Sequence, residues 1–124
     1  MEKVNLQQKF ALFSDHWQPK MIGELNDFAV KIVKVKGEFV WHHHDREDEL
    51  FFVVKGRLLM QICEASGSQR TVPVEEGELI IIPRGVEHCP MAEEETYLML
   101  LEPNTTINTG NVESERTVHN IERI

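Results

Sequence analysis

The chain has 124 residues, enough for one hydrophobic core and too few for two. Its 13 basic and 21 acidic residues give a formal net charge of −8, which argues against nucleic acid and anionic membrane surfaces as partners. No apolar run approaches the ~20 residues of a membrane span, and the opening MEKVNLQQKFALF lacks the continuous apolar stretch of a signal peptide.

In chain order, residues 5–13 read as a short amphipathic helix: Asn5 is an N-cap, and Leu6, Phe10 and Phe13 recur on one stripe. Asp15 to Pro19 ends that pattern. Two strands follow over 21–25 and 28–36, joined at the turn-prone pair Asn26-Asp27. The next stretch, GEFVWHHHDREDELFFVVKG, spans Gly37 to Gly56. His42 and His44 stand two apart in a strand-like run, so both imidazoles share a face. Glu49 is an odd number of residues further on, but the polar Asp45–Asp48 segment lets the chain fold back and turns Glu49 toward the histidines. In the returning strand Phe51 and Val53 share Glu49's face, while Leu50, Phe52 and Val54 make the opposite face equally apolar. Both faces are expected to be buried, one in the interior and the other against a second layer or a second subunit. A homodimer is the expectation.

Gly56 can take the positive φ of a tight hairpin turn into a strand over 57–63, with Leu58, Met60 and Ile62 on one face. Residues 69–75 return, and Pro73 puts that strand at an edge or a bulge. Leu79–Ile82 reads as a continuous buried strand, followed by a Pro83-x-Gly85 turn and His88. Glu93-Glu94-Glu95 reads as a solvated loop before a last apolar strand over 96–101. Tyr97, Met99 and Leu101 share a face of it, as core or as pocket wall. After Pro103 periodicity is lost, and Val118, Ile121 and Ile124 suggest a short terminal helix. Many short strands at close spacing predict an all-β sandwich or barrel.

Two neutral imidazoles and a carboxylate converging on one point suit a divalent transition metal, and His88 is a fourth candidate ligand. The competing reading is a hydrogen-bonded polar cluster without metal. His43 points away from its neighbours' face, and His16 and His119 have no companions. Asp45 and Asp48 either orient imidazole N–H groups or belong to a solvated turn. Arg57 and Arg84 lie beside glycines and could anchor an anion. Cys63 and Cys89 make no disulfide framework, Cys89 reads as a packed thiol, and a cytoplasmic location is expected.

Together the two stretches resemble the cupin superfamily. Its first motif runs G, five residues, HxH, three or four residues, E, six residues, G; His42, His44, Glu49 and Gly56 match it. Its second runs G, five residues, PxG, two residues, H, three residues, N; Gly77, Pro83, Gly85 and His88 match. Two departures stand out: four residues separate Gly37 from His42, and Ala92 occupies the usual Asn position. The resemblance implies a double-stranded β-helix, or jelly-roll barrel, with a core over about 21–102 and a C-terminal extension over 103–124, all in a single domain spanning 1–124. It also implies one divalent transition metal (Fe, Mn, Zn, Ni, Co or Cu) on His42, His44, Glu49 and His88, and a small organic molecule as ligand. Such a centre serves a dioxygenase if the metal is redox-active, or an isomerase, lyase or hydrolase by Lewis acidity. The alternative is a non-catalytic sensor or a sugar or metabolite binder.

Overall fold

The computed structural model describes residues 1–124. Its one helix, α1 (Leu6–Phe10), is shorter than the sequence predicts; the Asn5 side chain caps it by accepting from the Gln8 N–H at 2.9 Å. Eight strands follow: β1 (Lys20–Leu25), β2 (Phe28–Glu38), β3 (Glu49–Lys55), β4 (Arg57–Cys63), β5 (Gln69–Glu75), β6 (Leu79–Ile82), β7 (Glu87–Pro103) and β8 (Glu122–Arg123).

β7 organises the sheet. Along one edge β2 pairs with it antiparallel from Phe28↔Pro103 to Glu38↔Met91. Along the other, its first half pairs with β4 and its second half with β3, which in turn carries β6. The sheet is not closed. Its two halves face each other as a β-sandwich, with β5 at one end of the strand order and β8 at the other. Pro73 therefore sits in an edge strand, where its missing N–H breaks no ladder. Between the halves lie Val33, Val35, Phe51, Val53, Leu58, Met60, Ile62, Leu98 and Leu100, one apolar core cluster. These are the alternate positions of strands whose other face points outward, as a period of two requires.

The outer face is less uniform. Near Tyr97 it is covered by α1, whose Phe10 stacks on the tyrosine ring at 4.6 Å. Around β3 and β6 it is open: Leu79 and Ile81 are exposed, while Leu50 and Phe52 are half-buried. Leu79–Ile82 is thus not the fully buried strand predicted, because β6 pairs with β3 alone and no second layer lies over its outer side.

Four further expectations change. The run predicted to begin at Thr96 starts at Glu87, because pairing with β2 and β4 extends the strand backward. Glu93–Glu95 is an exposed bulge inside it, between the pairs Val35↔Thr96 and Gly37↔Ala92. Residues 39–48 are mostly extended coil with a single bridge, His42↔His88. The predicted terminal helix is absent: residues 104–121 run as turns and loop, and β8 pairs parallel with β1.

The C-terminal segment packs on its own sandwich. Asn111 donates its N–H to the His43 carbonyl at 3.1 Å, and its side-chain oxygen accepts from the His43 N–H at 2.8 Å. Gly110 beside it has φ +55, and a Cβ there would stand 2.2 Å from the His43 carbonyl oxygen. Gly110→Ala is expected to destabilise the fold by about 1–3 kcal/mol through this clash and the positive φ. Thermal unfolding checks the cost, and displaced His42 and His43 backbone NMR signals would locate it.

Candidate metal centre

His42 and His44 come from the coil before β3, Glu49 opens β3, and His88 lies in the first turn of ladder in β7. All four are buried, and their ligand atoms lie within 4.8 Å of one another. Tight backbone links make this possible: His42 and His88 exchange both backbone bonds, at 3.0 and 2.9 Å, and Gly85 N–H donates to the His44 carbonyl at 2.7 Å. The Pro83–Gly85 turn thereby fastens one motif to the other.

The Nδ1 atoms of His42 and His88 lie 2.8 Å from the carbonyls of Val40 and Val86, two residues upstream in each case. Each Nδ1 must carry its proton there, which leaves Nε2 as the lone-pair atom. His44 Nε2 and His88 Nε2 stand 2.8 and 3.3 Å from Glu49 Oε1. None of these three atoms has a hydrogen-bond partner of acceptable geometry, although all are buried. Buried polar atoms without partners are costly. Three aimed at one point are what a cation would satisfy, and this fits a metal better than a hydrogen-bonded cluster does.

The electrostatics agree. Burial, reinforced by the neighbouring His88, pushes the His42 imidazole down to about 4, so it is neutral at neutral pH. Burial alone would raise Glu49, but the imidazoles of His44 and His88 and the Glu102 carboxyl close around it and hold its carboxyl well below its usual range. A neutral His42 imidazole beside an ionised Glu49 carboxylate is the protonation state a divalent metal needs.

Beside the four residues lies a cavity of about 40 Å³, walled by Val33, Val35, Phe51, Leu98 and Leu100, with Trp17 and Phe39 stacked at 4.7 Å. His42, Glu49 and Glu102 also line it, with Pro19, Pro90 and Asn108. Its wall is the inward face of β7, so Tyr97, Met99 and Leu101, on the opposite face, do not line it. Arg57 and Arg84 pair with Glu75 and Asp48 on the surface and anchor nothing in the cavity. Asp45 contacts His43 and Asp48 receives the Arg84 N–H, so neither orients a candidate ligand. His43 itself is half-buried between Glu87 and Asp45. Cys89 is buried, which pushes its thiol up to about 12, an unreactive packed group.

Sequence reasoning missed Glu102 and Lys31. Lys31 Nζ donates to Glu102 Oε1 at 2.8 Å, with both side chains buried. Burial and the adjacent Glu49 charge push the Glu102 carboxyl well above its ordinary range, with Lys31 pulling the other way. The available signal was phase: Glu102 continues the inward series of Leu98 and Leu100, an acid where apolar residues belong.

A cupin-domain family model matches residues 29–103, which contain both motifs. The chain is a cupin. A cupin-2 domain containing protein from Shewanella frigidimarina is 44% identical in its crystal structure, with a TM-score of 0.76 over 82% of this chain and 94% of that one. An uncharacterised Bacillus subtilis protein, YdbB, is 36% identical over 67 residues, 54% of this chain and 56% of its own length. A 3-hydroxyanthranilate 3,4-dioxygenase from Bacillus cereus is 28% identical over 94 residues, 76% of this chain and 51% of the enzyme. The cupin thus spans about half the length of the curated relatives it matches.

The His42 shift has a measurable consequence. Its folded value of about 4 lies below the ordinary 6.5, so the unfolded chain binds a proton first as pH falls. Stability is full above about pH 6.5 and declines as pH drops toward 4, by about 3 kcal/mol in all. Urea unfolding of chelator-treated protein across this range is expected to show the decline, and His42→Asn to remove that share of it.

Proposed function

We propose that this cupin is a metal-dependent dioxygenase acting on a small organic molecule. The observation that carries the reading is the convergence of His44 Nε2, Glu49 Oε1 and His88 Nε2, buried and unpartnered, beside an apolar cavity. His42, His44, Glu49 and His88 would hold one divalent transition metal. Bound there, the metal supplies Lewis acidity, and iron supplies redox chemistry toward O₂ as well. The similarity to a 3-hydroxyanthranilate 3,4-dioxygenase supports oxygenase chemistry.

The chain's own contribution is orientation and exclusion. The Val40 and Val86 carbonyls fix the two imidazole tautomers. Phe51, Leu98 and Leu100 keep the cavity dry, which strengthens electrostatic interactions inside it. Elemental analysis of tag-free, chelator-free protein, followed by O₂ uptake over a metabolite panel, tests the reading. Near-stoichiometric iron with substrate-dependent O₂ consumption supports it. Zinc, nickel or manganese without O₂ uptake points to isomerase or lyase chemistry or to a non-catalytic binder. His42→Ala with His44→Ala is expected to abolish metal binding while a folded β-sandwich remains by circular dichroism; retained stoichiometric metal would sink the assignment.

The same reading includes a cytoplasmic homodimer. The free Cys63 and Cys89 suit a reducing compartment. The outer apolar patch of Leu50, Phe52, Leu79 and Ile81 suits a second copy, with Leu79 and Ile81 each 54% exposed. Light scattering at micromolar concentration is expected to give a dimer, and Ile81→Lys a monomer with undiminished metal content.

A further inference from the structure

Lys20, Lys31 and Lys34 are the buried lysines, and Lys34 is the one without a carboxylate partner. Lys20 pairs with Asp15 and Glu122, and Lys31 with Glu102. Lys34, 7% exposed, donates one of its ammonium N–H groups to the Phe13 carbonyl. The ammonium also lies over the Phe13 and Tyr97 rings, 5.0 and 4.9 Å from their centroids. Burying a charge is costly, and one carbonyl with two ring faces offsets that cost only in part. A second ammonium converges on the same tyrosine: Lys55 Nζ is 5.3 Å from the Tyr97 centroid and is in no ion pair. Glu95 feels Lys34 at longer range, but its carboxylate is taken by His16 at 2.7 Å.

Both lysines line an open cleft of about 530 Å³ between α1 and the outer face of β2, β3 and β7. Strand period sets its position. Lys34 stands between Val33 and Val35, and Tyr97 beside Leu98, and those three apolar residues line the histidine-bearing cavity on the opposite face. The sheet therefore separates the cleft from the metal centre. Phe10, Ala11 and Val54 give the cleft apolar walls, and its volume falls in the range of small-molecule sites, roughly 300–1,000 Å³. Glu76 is its one acid and accepts from the Gly56 N–H at 3.3 Å. Two cations against one acid leave a single positive charge, which suits one carboxylate better than a doubly charged phosphate. We propose that this cleft is a second ligand site, taking a small organic monocarboxylate. Its carboxylate sits between Lys34 and Lys55, and its apolar or aromatic body lies against Phe10, Ala11 and Val54.

The test titrates benzoate, and benzamide as its uncharged counterpart, into the full-length protein by isothermal calorimetry, before and after chelator treatment. Benzoate is expected to bind equally well in both states, and tighter than benzamide by roughly tenfold or more. It is also expected to move the NMR signals of Ala11, Lys34, Lys55 and Tyr97 in the chelator-treated protein. Lys34→Met keeps most of the stem's packing and removes the charge. It is expected to weaken benzoate by roughly tenfold while benzamide affinity and metal content stay unchanged. Benzoate binding that vanishes with the chelator overturns the proposal, because it places the carboxylate on a metal. A response confined to the signals around His42 and His88 overturns it too. So do equal affinities for the two probes, unchanged benzoate affinity in the variant, and absence of benzoate binding at millimolar concentration. Where Lys34→Met does not fold, Lys55→Met takes its place, since Lys55 is exposed. It is expected to weaken benzoate severalfold; unchanged affinity is the contrary result.

Discussion

The reciprocal backbone bonds between His42 and His88 are the constraint on which the rest of this molecule depends. They form the one ladder step in a ten-residue stretch of coil, and they join residues 46 positions apart. Without them the loop carrying His42 and His44 has no fixed height above β7. With them, each imidazole needs only its own local carbonyl to set its tautomer. The Gly85 bond to His44 adds a second point of attachment, so a loop holds two side chains with the rigidity of a sheet.

Much of this was legible in the sequence because it follows from period and spacing. The period of two across Glu49, Phe51 and Val53 placed the carboxylate inside, while His88 was reached through the resemblance of its stretch to the second cupin motif. Pro73 marked an edge because proline cannot donate to a ladder. What was not legible depended on partners distant in sequence. The acidic run Glu93–Glu95 reads as a loop by composition, but flanking pairs on β2 and β4 carry the strand through it as a bulge. Val118, Ile121 and Ile124 have helical spacing, yet the segment is tied by Asn108, Thr109 and β1 instead. Lys31 and Glu102 stayed hidden because each alone looks like a surface charge. The phase of β7 already turned Glu102 inward, but only the register of β2 on β7 shows that Lys31 faces inward beside it.

The interior holds an unusual share of ionisable groups for its size. Three histidines, two glutamates and a lysine lie between apolar walls. Each has a recognisable compensation: a backbone carbonyl for two imidazoles, Lys31 for one carboxylate oxygen, and a convergent point for the rest. Departures from apolar patterning at this density mark where a fold gives up stability to chemistry. Here they all fall within one end of the sandwich and leave the core around Leu58, Met60 and Val74 conventional.

The clamp between Asn111 and the His43 backbone also carries a temporal consequence. During synthesis the cupin motifs, complete by His88, leave the ribosome before residue 111 does. At about 5–20 residues per second that gap lasts seconds, long compared with hairpin formation. The sandwich can therefore assemble with its histidine-bearing loop held on one side only, and the loop reaches its final position last.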